Sequence, residues 1–106
     1  MARARSIEYM KTCMDSGEAE RLSRVFKALG HPLRLRIVSG LLDQECNVKK
    51  MTCGLGVPQA TVSQQLAVLR ACGVLACERK GNVVCYRVAQ PWVRKVIRLT
   101  NRNGEE

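Results

Sequence analysis

The chain has 106 residues, the size of a single domain, which excludes a second independent fold. Its 18 Lys and Arg residues outnumber its 9 Asp and Glu residues, and the resulting formal net charge of +9 makes a polyanion the expected partner. A hydrophobic content of 46% is too high for a disordered chain, and the small core of so short a chain favours a core shared across a dimer.

The compartment is predicted from what the sequence lacks. No apolar stretch approaches the roughly 20 residues that a membrane-spanning helix needs. Arg3 and Arg5 are followed by Glu8 and Lys11 rather than by the apolar segment of a signal peptide. We therefore expect a cytoplasmic protein with no membrane partner, in which the 6 cysteines are reduced thiols open to metals or oxidants.

The amino-terminal part of the chain predicts three helices. Apolar spacing indicates a short helix over about 6–14. Asp15 then occupies a capping position for a second helix that closes at Gly30, and Pro32 suits the first turn of a third. His31, which lies between them, is expected to be a cap or loop residue rather than a metal ligand.

A helix-turn-helix is predicted over about 47–73. Asn47 can cap a short helix, and the Gly and Pro residues of 55–58 indicate a turn after it. From Gln59 an apolar stripe runs to Gly73, which predicts a second helix that is buried along one side. In this motif the second helix enters the major groove of DNA.

A β-hairpin, the wing, is predicted over about 74–88 with Gly81-Asn82 as its two-residue turn. The register that gathers the apolar side chains on one face places Cys77 opposite Tyr86. Slipping the register by one residue would put Cys77 opposite Cys85 and mix the two faces, so a disulfide within the hairpin is disfavoured.

A last helix follows from Pro91, and Trp92 is expected to pack it against the body of the domain. The order of elements predicts one winged helix-turn-helix domain over 1–106, mainly α with a small β-hairpin wing. The sequence contains no Ser-His-Asp arrangement, phosphate-binding loop or paired carboxylate motif, so we do not expect an enzyme.

Several polar side chains are candidates for contact with DNA. Those on the second helix of the motif suit base edges, because Gln can pair bidentately with adenine and the Thr methyl group can touch the thymine methyl group. Those at the tip of the wing suit phosphates or a minor groove. The alternative for any one of them is an ordinary solvated face, whereas net charge and motif order together favour DNA. The candidates are Gln59, Thr61, Ser63, Gln64, Arg79, Lys80 and Asn82.

Three segments of the chain resemble the ArsR/SmtB family of transcriptional repressors. They are residues 26–37 (FKALGHPLRLRI), 55–66 (LGVPQATVSQQL) and 79–88 (RKGNVVCYRV). The resemblance extends over roughly residues 18 to 100, in the order and with the spacing of the family.

The resemblance implies a homodimeric winged-helix repressor that leaves double-stranded operator DNA when an inducer binds. It places the dimer interface in the helices over about 6–30 and 91–101, and we expect Ile97 to lie in that interface. The inducer of such a repressor is a metal ion, a metalloid or a reactive sulfur species. No cofactor is expected to be required for folding.

The sensing residues that the resemblance implies are missing from this chain. The family counts the helix that Asn47 caps here as its third. Members that bind thiophilic metals near this helix carry a Cys-x-Cys pair at its start, where this chain has Asn47 and Lys49. Members that sense zinc, nickel or cobalt use Asp, His and Glu of the last helix, and residues 92–100 contain none of them. Persulfide sensors pair cysteines of the second and last helices, and neither of these helices contains Cys here.

The candidate ligands of a soft metal or metalloid are Cys13, Cys46 and Cys53. Cys46 and Cys53 are about 10 Å apart along a helix, whereas two sulfurs on one ion must lie within about 4 Å of each other. The resemblance places the start of the short helix that Asn47 caps, which the family counts as its third, near the amino-terminal segment of the partner subunit, so Cys13 of one chain is expected to meet Cys46 of the other. Cys53 is expected as a third ligand only if that helix ends before it and turns back. Cys72 and Cys77 are expected to be core residues. The alternative, that none of these thiols has a sensing role, stays open.

The function predicted from these residues is sequence-specific repression of transcription, relieved by a thiol-reactive inducer. Two alternatives remain at this point. One is a winged-helix regulator without a small-molecule site, and the other is a basic module that binds protein or RNA. Sequence-selective, salt-sensitive binding to DNA separates both regulators from the interaction module.

Overall fold

The structure is a computed structural model that describes residues 10, 11 and 13–100. The predicted helix over 6–14 lies largely outside these residues. The described part of the chain contains α1 (Ser16–Leu29), α2 (Pro32–Gly40), β1 (Cys46–Asn47), α3 (Val48–Leu55), α4 (Gln59–Ala71), β2 (Leu75–Lys80), β3 (Val83–Val88) and α5 (Pro91–Thr100). In this part of the chain we find no helix with the length and apolar character that crossing a bilayer requires.

Side chains cap the first two helices as the sequence predicts. The Asp15 carboxylate accepts a hydrogen bond from the Glu18 amide at 2.8 Å, at the start of α1. His31 caps α2 through Nδ1, which accepts from the Leu33 amide at 3.2 Å. Each cap satisfies an amide that has no partner within its helix, a contribution of about 1 kcal/mol. The prediction that His31 is a cap is therefore confirmed.

The core lies where the helices meet the inner face of the sheet. All of its buried members are hydrophobic, and among the described residues no polar or charged residue is fully buried. Burial on this scale is the main favourable term in folding. The core consists of Val25, Ala28, Leu29, Ile37, Val38, Leu41, Leu42, Met51, Val62, Leu66, Leu69, Val74, Leu75, Val88, Val93 and Ile97.

The wing has three antiparallel strands, in the order β1-β3-β2, where the sequence predicted a two-stranded hairpin. The predicted register of the hairpin is correct, since Cys77 lies opposite Tyr86. The added strand β1 is only two residues long, and it pairs Cys46 with Tyr86 and Asn47 with Cys85. Two residues are too few to display the alternation by which strands are predicted. Cys46 therefore belongs to the sheet and not to α3, the first helix of the helix-turn-helix.

Asn47 serves both the sheet and α3. Its backbone is part of β1, while its side-chain oxygen accepts a hydrogen bond from the Lys50 amide at 2.9 Å and caps α3. The predicted capping role is confirmed. Because one residue holds both positions, the wing is joined directly to the first turn of α3.

Two apolar residues lie elsewhere than the sequence analysis predicted. Ile97, which we expected in a dimer interface, is 5% exposed and packs in the core of its own protomer beside Val93. The spacing of Leu22, Phe26 and Leu29 predicts one buried side of α1, but Phe26 is 50% exposed. A helix that packs on two sides shows one broad apolar pattern, and periodicity alone does not assign its residues to either side.

Two glycines at the end of α3 have different backbone requirements. Gly54 is inside the helix, and a Cβ atom placed there would meet no atom within 4 Å. Gly56 ends the helix with φ of +70°, and its amide donates to the Thr52 carbonyl at 3.0 Å. A left-handed backbone is strained for residues with a Cβ atom, so only Gly56 needs to be glycine.

This difference gives a test of the turn. Gly54→Ala should raise the free energy of unfolding by about 0.5–1 kcal/mol, because alanine restricts the unfolded chain and favours a helix. Gly56→Ala should lower it by about 1–2 kcal/mol, because the left-handed conformation becomes strained. Urea unfolding followed by circular dichroism, at one protein concentration, measures both changes. Equal effects of the two substitutions would contradict the assigned turn.

Candidate nucleic-acid interface

Helix α4 packs against the core of the domain through the predicted apolar stripe. Val62, Leu66 and Leu69 are 0%, 1% and 0% exposed. Residues spaced by three or four share one side of a helix, and full burial of each side chain contributes about 1.5–3 kcal/mol. Their burial fixes which side of α4 points away from the protein.

The side of α4 that faces solvent carries most of the predicted base-reading residues. Gln59, Ser63 and Gln64 are exposed, while Thr61 is half-buried. Pro58 provides no side-chain cap, so the first-turn amides of α4 receive no acceptor from a capping side chain. Uncapped amides at a helix start are suited to contact an anionic group.

Arg34 connects three helices through hydrogen bonds, a role that sequence reasoning missed. Its Nε donates a hydrogen bond to Oε1 of Gln65 at 2.7 Å, and a terminal nitrogen donates to the Ala28 carbonyl at 3.3 Å. The bridge therefore joins the end of α1 to α2 and α4. The apolar pattern carries no signal for a contact between polar residues 31 positions apart.

The tip of the wing presents the other predicted contacts. Arg79, Lys80 and Asn82 are exposed beside Gly81, which has φ of +67°. Only the first residue of the two-residue turn has a positive φ, as in a type II′ turn. Arg79 has no ion-pair partner within the described residues, so its guanidinium is available to an anion.

Lys80 is directed away from the tip. Its Nζ is 2.6 Å from Oε1 of Glu45, in the loop before β1. The hydrogen bond to Glu45 and the charge of this carboxylate raise the pKa of Lys80 above its usual value. An exposed pair of this kind adds little stability, but it reduces the charge that Lys80 offers to DNA.

The three candidate sensing cysteines lie in different environments. Cys13 and Cys53 are exposed, whereas Cys46 is half-buried and packs against the core. Within the described part of one protomer, no three His, Cys, Asp or Glu side chains are grouped closely enough to hold a metal ion. A site made by these cysteines therefore needs a second protomer.

Cys46 also borders a small apolar cavity of about 240 Å³ between α2 and α3. Ile37, Leu41, Met51 and Leu55 contribute to its walls. Cys46 thus borders this cavity at the position where the helix-turn-helix begins.

The expected core role of Cys72 agrees with its surroundings. Its side chain packs against the core, and its Sγ lies 3.4 Å from the Leu69 carbonyl. Cys77 is half-buried on the inner face of the sheet, opposite Tyr86.

Comparison with known proteins places this arrangement in a family. Residues 31–76 match the family model described as bacterial regulatory protein, arsR family. The biofilm growth-associated repressor of Xylella fastidiosa is 35% identical over 79 residues, which are 74% of this chain and 69% of that protein.

Solved structures show the same fold. The transcriptional repressor PagR of Bacillus anthracis superposes with a TM-score of 0.77 and 34% identity over 82% of this chain and 100% of that chain. A homodimeric winged helix-turn-helix DNA-binding domain from Mycobacterium bovis, a possible ArsR-family regulator, gives a TM-score of 0.73 with 27% identity, covering 84% of this chain and 85% of that chain.

The fold class predicted from the sequence is thus confirmed, with a third strand added to the wing. The matched family consists of regulatory proteins, which also confirms the prediction that the chain is not an enzyme. On this sequence and structural similarity, the chain belongs to the arsR family of bacterial regulatory proteins.

Proposed function

We propose that the protein is a homodimeric transcriptional repressor that binds double-stranded operator DNA. The observation that carries the proposal is the two-sided character of α4, whose apolar side is buried while Gln59, Ser63 and Gln64 are exposed. Names of relatives support it, since the similar protein of Xylella fastidiosa is called a repressor and that of Bacillus anthracis a transcriptional repressor.

The proposed contacts divide into base readers and phosphate binders. Gln59, Ser63 and Gln64 carry donors and acceptors suited to base edges in the major groove. Arg79 contacts the backbone beside α4, where a guanidinium fork fits a phosphate. Thr61 is half-buried, and its methyl group is suited to contact a thymine methyl group.

Lys80 and Asn82 complete the wing contact in this proposal. Asn82 is exposed in the turn itself. Lys80 has to leave Glu45 before it reaches a phosphate, so its contribution is smaller than that of Arg79.

The two kinds of contact respond differently to substitution. Gln59→Ala or Ser63→Ala should reduce the preference for the operator over random DNA by about 1–3 kcal/mol, because a good base contact is lost. Arg79→Gln should weaken binding to all sequences and reduce the slope of log affinity against log salt by about 0.9. Fluorescence anisotropy over a salt series measures both quantities.

Two matched variants control for composition and charge. Gln44→Ala makes the same Gln-to-Ala change and Lys95→Gln removes one positive charge, both at exposed positions outside the interface, and both variants should bind DNA as the parent does. A parent protein without sequence preference or salt dependence would favour the protein or RNA interaction module instead.

The dimer is proposed from apolar side chains that one protomer leaves exposed. Phe26 of α1 is 50% exposed and Leu99 of α5 is 82% exposed, and Met14 just before α1 is 51% exposed. The rings of Phe26 and Trp92, 5.6 Å apart, connect α1 with α5. Apolar side chains grouped on two terminal helices suit a second copy of the chain, and the similar domain from Mycobacterium bovis is homodimeric.

Leu99 rather than Ile97 tests this interface. Leu99→Asp should weaken the dimer about tenfold or more, because an unpaired carboxylate would have to leave water on association. Leu35→Asp, at an exposed leucine of α2, should leave the dimer intact. Sedimentation equilibrium gives both constants, and equal dimer strength for the two variants would place the interface elsewhere.

The finer part of the proposal is that a thiol-reactive inducer, a soft metal, a metalloid or a reactive sulfur species, releases the repressor through Cys13 of one protomer and Cys46 of the other. Cys53 could join them only if the short helix ended before it, and α3 continues to Leu55, so Cys53 does not share an ion with Cys46 of its own chain. The exposure of Cys13 and Cys53 makes both thiols accessible. Cys46 lies next to Asn47, which caps α3, so a ligand held there acts on the helix-turn-helix directly. The partner subunit has to supply one of the thiols.

Single Cys→Ser variants test this assignment by inducer-driven release from the operator. Cys13→Ser and Cys46→Ser should abolish or strongly weaken release while leaving DNA affinity unchanged without inducer. Cys72→Ser is the matched control, because Cys72 packs in the core. If only the control loses the response, the assignment is wrong, and if every variant responds as the parent does, the regulator has no thiol sensor.

A further inference from the structure

Three arginines from two elements line one pocket beside the loop that follows α2. Arg87 comes from β3, and Arg94 and Arg98 come from α5. The loop after α2 closes the pocket with residues 41–45, and its volume is about 380 Å³. None of its lining residues belongs to α4 or to the turn of the wing.

The charges of the pocket are only partly compensated within the described chain. Arg98 pairs with Asp43. Glu45 also lines the pocket, but Lys80 occupies its carboxylate. Arg87 and Arg94 have no ion-pair partner among the described residues. Two positive charges therefore remain available at this position.

Arg94 has one N–H group that lacks a hydrogen-bond acceptor in the described part of the chain. A terminal nitrogen of its guanidinium donates to the Val88 carbonyl at 3.4 Å, which directs the side chain toward β3. Its Nε is buried and has no hydrogen-bond partner in the described structure. Burying a guanidinium N–H without an acceptor is costly, and a rotation of the guanidinium toward an anion in the pocket would provide an acceptor.

We propose that this pocket binds a phosphate group carried by a small molecule. Guanidinium forks match the oxygens of phosphate, and two unpaired arginines match the two charges of a phosphate monoester. The volume lies within the range of small-molecule sites, roughly 300–1,000 Å³, which leaves room for an organic part beyond the phosphate. A phosphate of the DNA backbone is the other source of this chemistry, and the absence of α4 and wing-turn residues from the lining favours the free ligand.

The proposal is tested with inorganic phosphate on the full chain, in the absence of DNA. Isothermal titration calorimetry at constant ionic strength, with chloride as the replacement anion, should show saturable binding of phosphate. Arg87→Gln and Arg94→Gln should each weaken it about tenfold or more, because each removes a charged hydrogen-bond donor. Lys95→Gln removes the same charge from α5 outside the pocket and should bind phosphate as the parent does.

Arg87→Gln keeps the test decisive if Arg94→Gln fails to fold, because Arg87 is exposed and lies on the surface of the wing. Absence of saturable phosphate binding, or equal affinity in Arg87→Gln and Lys95→Gln, would overturn the proposal. In phosphate-free buffer, Arg87→Gln should bind duplex DNA as Lys95→Gln does. A selective loss of DNA affinity in Arg87→Gln would assign the pocket to the DNA backbone and overturn the free-ligand proposal.

Discussion

The burial of Val62, Leu66 and Leu69 is the constraint on which the proposed DNA-binding surface depends. These three side chains are almost wholly inaccessible, and they set the rotation of α4 about its own axis. A helix turns by about 100° per residue, so fixing one stripe fixes every other position on the helix. The polar residues of α4 point outward because the apolar ones have no alternative place in so small a core. Arg34 adds a polar restraint to the same orientation through its bond to Gln65.

The excess positive charge of the chain is unevenly available. Two cations of the sheet and last helix, Lys80 and Arg98, are engaged with Glu45 and Asp43. Pairs at the surface contribute little to the free energy of unfolding. Their effect here is to select which cations remain open to a polyanion, and Arg79 at the wing tip is one that does. Net charge indicates the class of partner, whereas the pairs decide where that partner is held.

The sequence predicted the regular elements and their caps because each has a local signal. A few neighbouring residues are enough to predict each of these features: the apolar stripe of α4, the caps at Asp15 and Asn47, and the register of β2 with β3. Two features lack such a signal. The strand β1 is shorter than one period of alternation, and the Arg34 bridge joins polar residues far apart in the chain.

The candidate site was predictable to a similar extent. Exposure of Gln59, Ser63 and Gln64 follows from helix geometry alone, but the contact of Lys80 with Glu45 depends on how the loop before β1 folds back onto the sheet. The environment of Cys46 could not be derived either, because it depends on pairing with β3. Ile97 shows a further limit, since an apolar face indicates burial without indicating which subunit buries it.

The double role of Asn47 has a mechanical consequence for groove recognition. Its backbone is paired with β3 and its side chain holds the first turn of α3, so a lateral displacement of the wing pulls on the start of the helix-turn-helix. The wing and the helix-turn-helix are therefore connected through this one residue. Separating the wing from α3 requires breaking the strand pair and the helix cap together. In the proposed complex with DNA, this link limits the range of groove widths that one protomer accepts, and DNA outside that range has to deform to fit the protein.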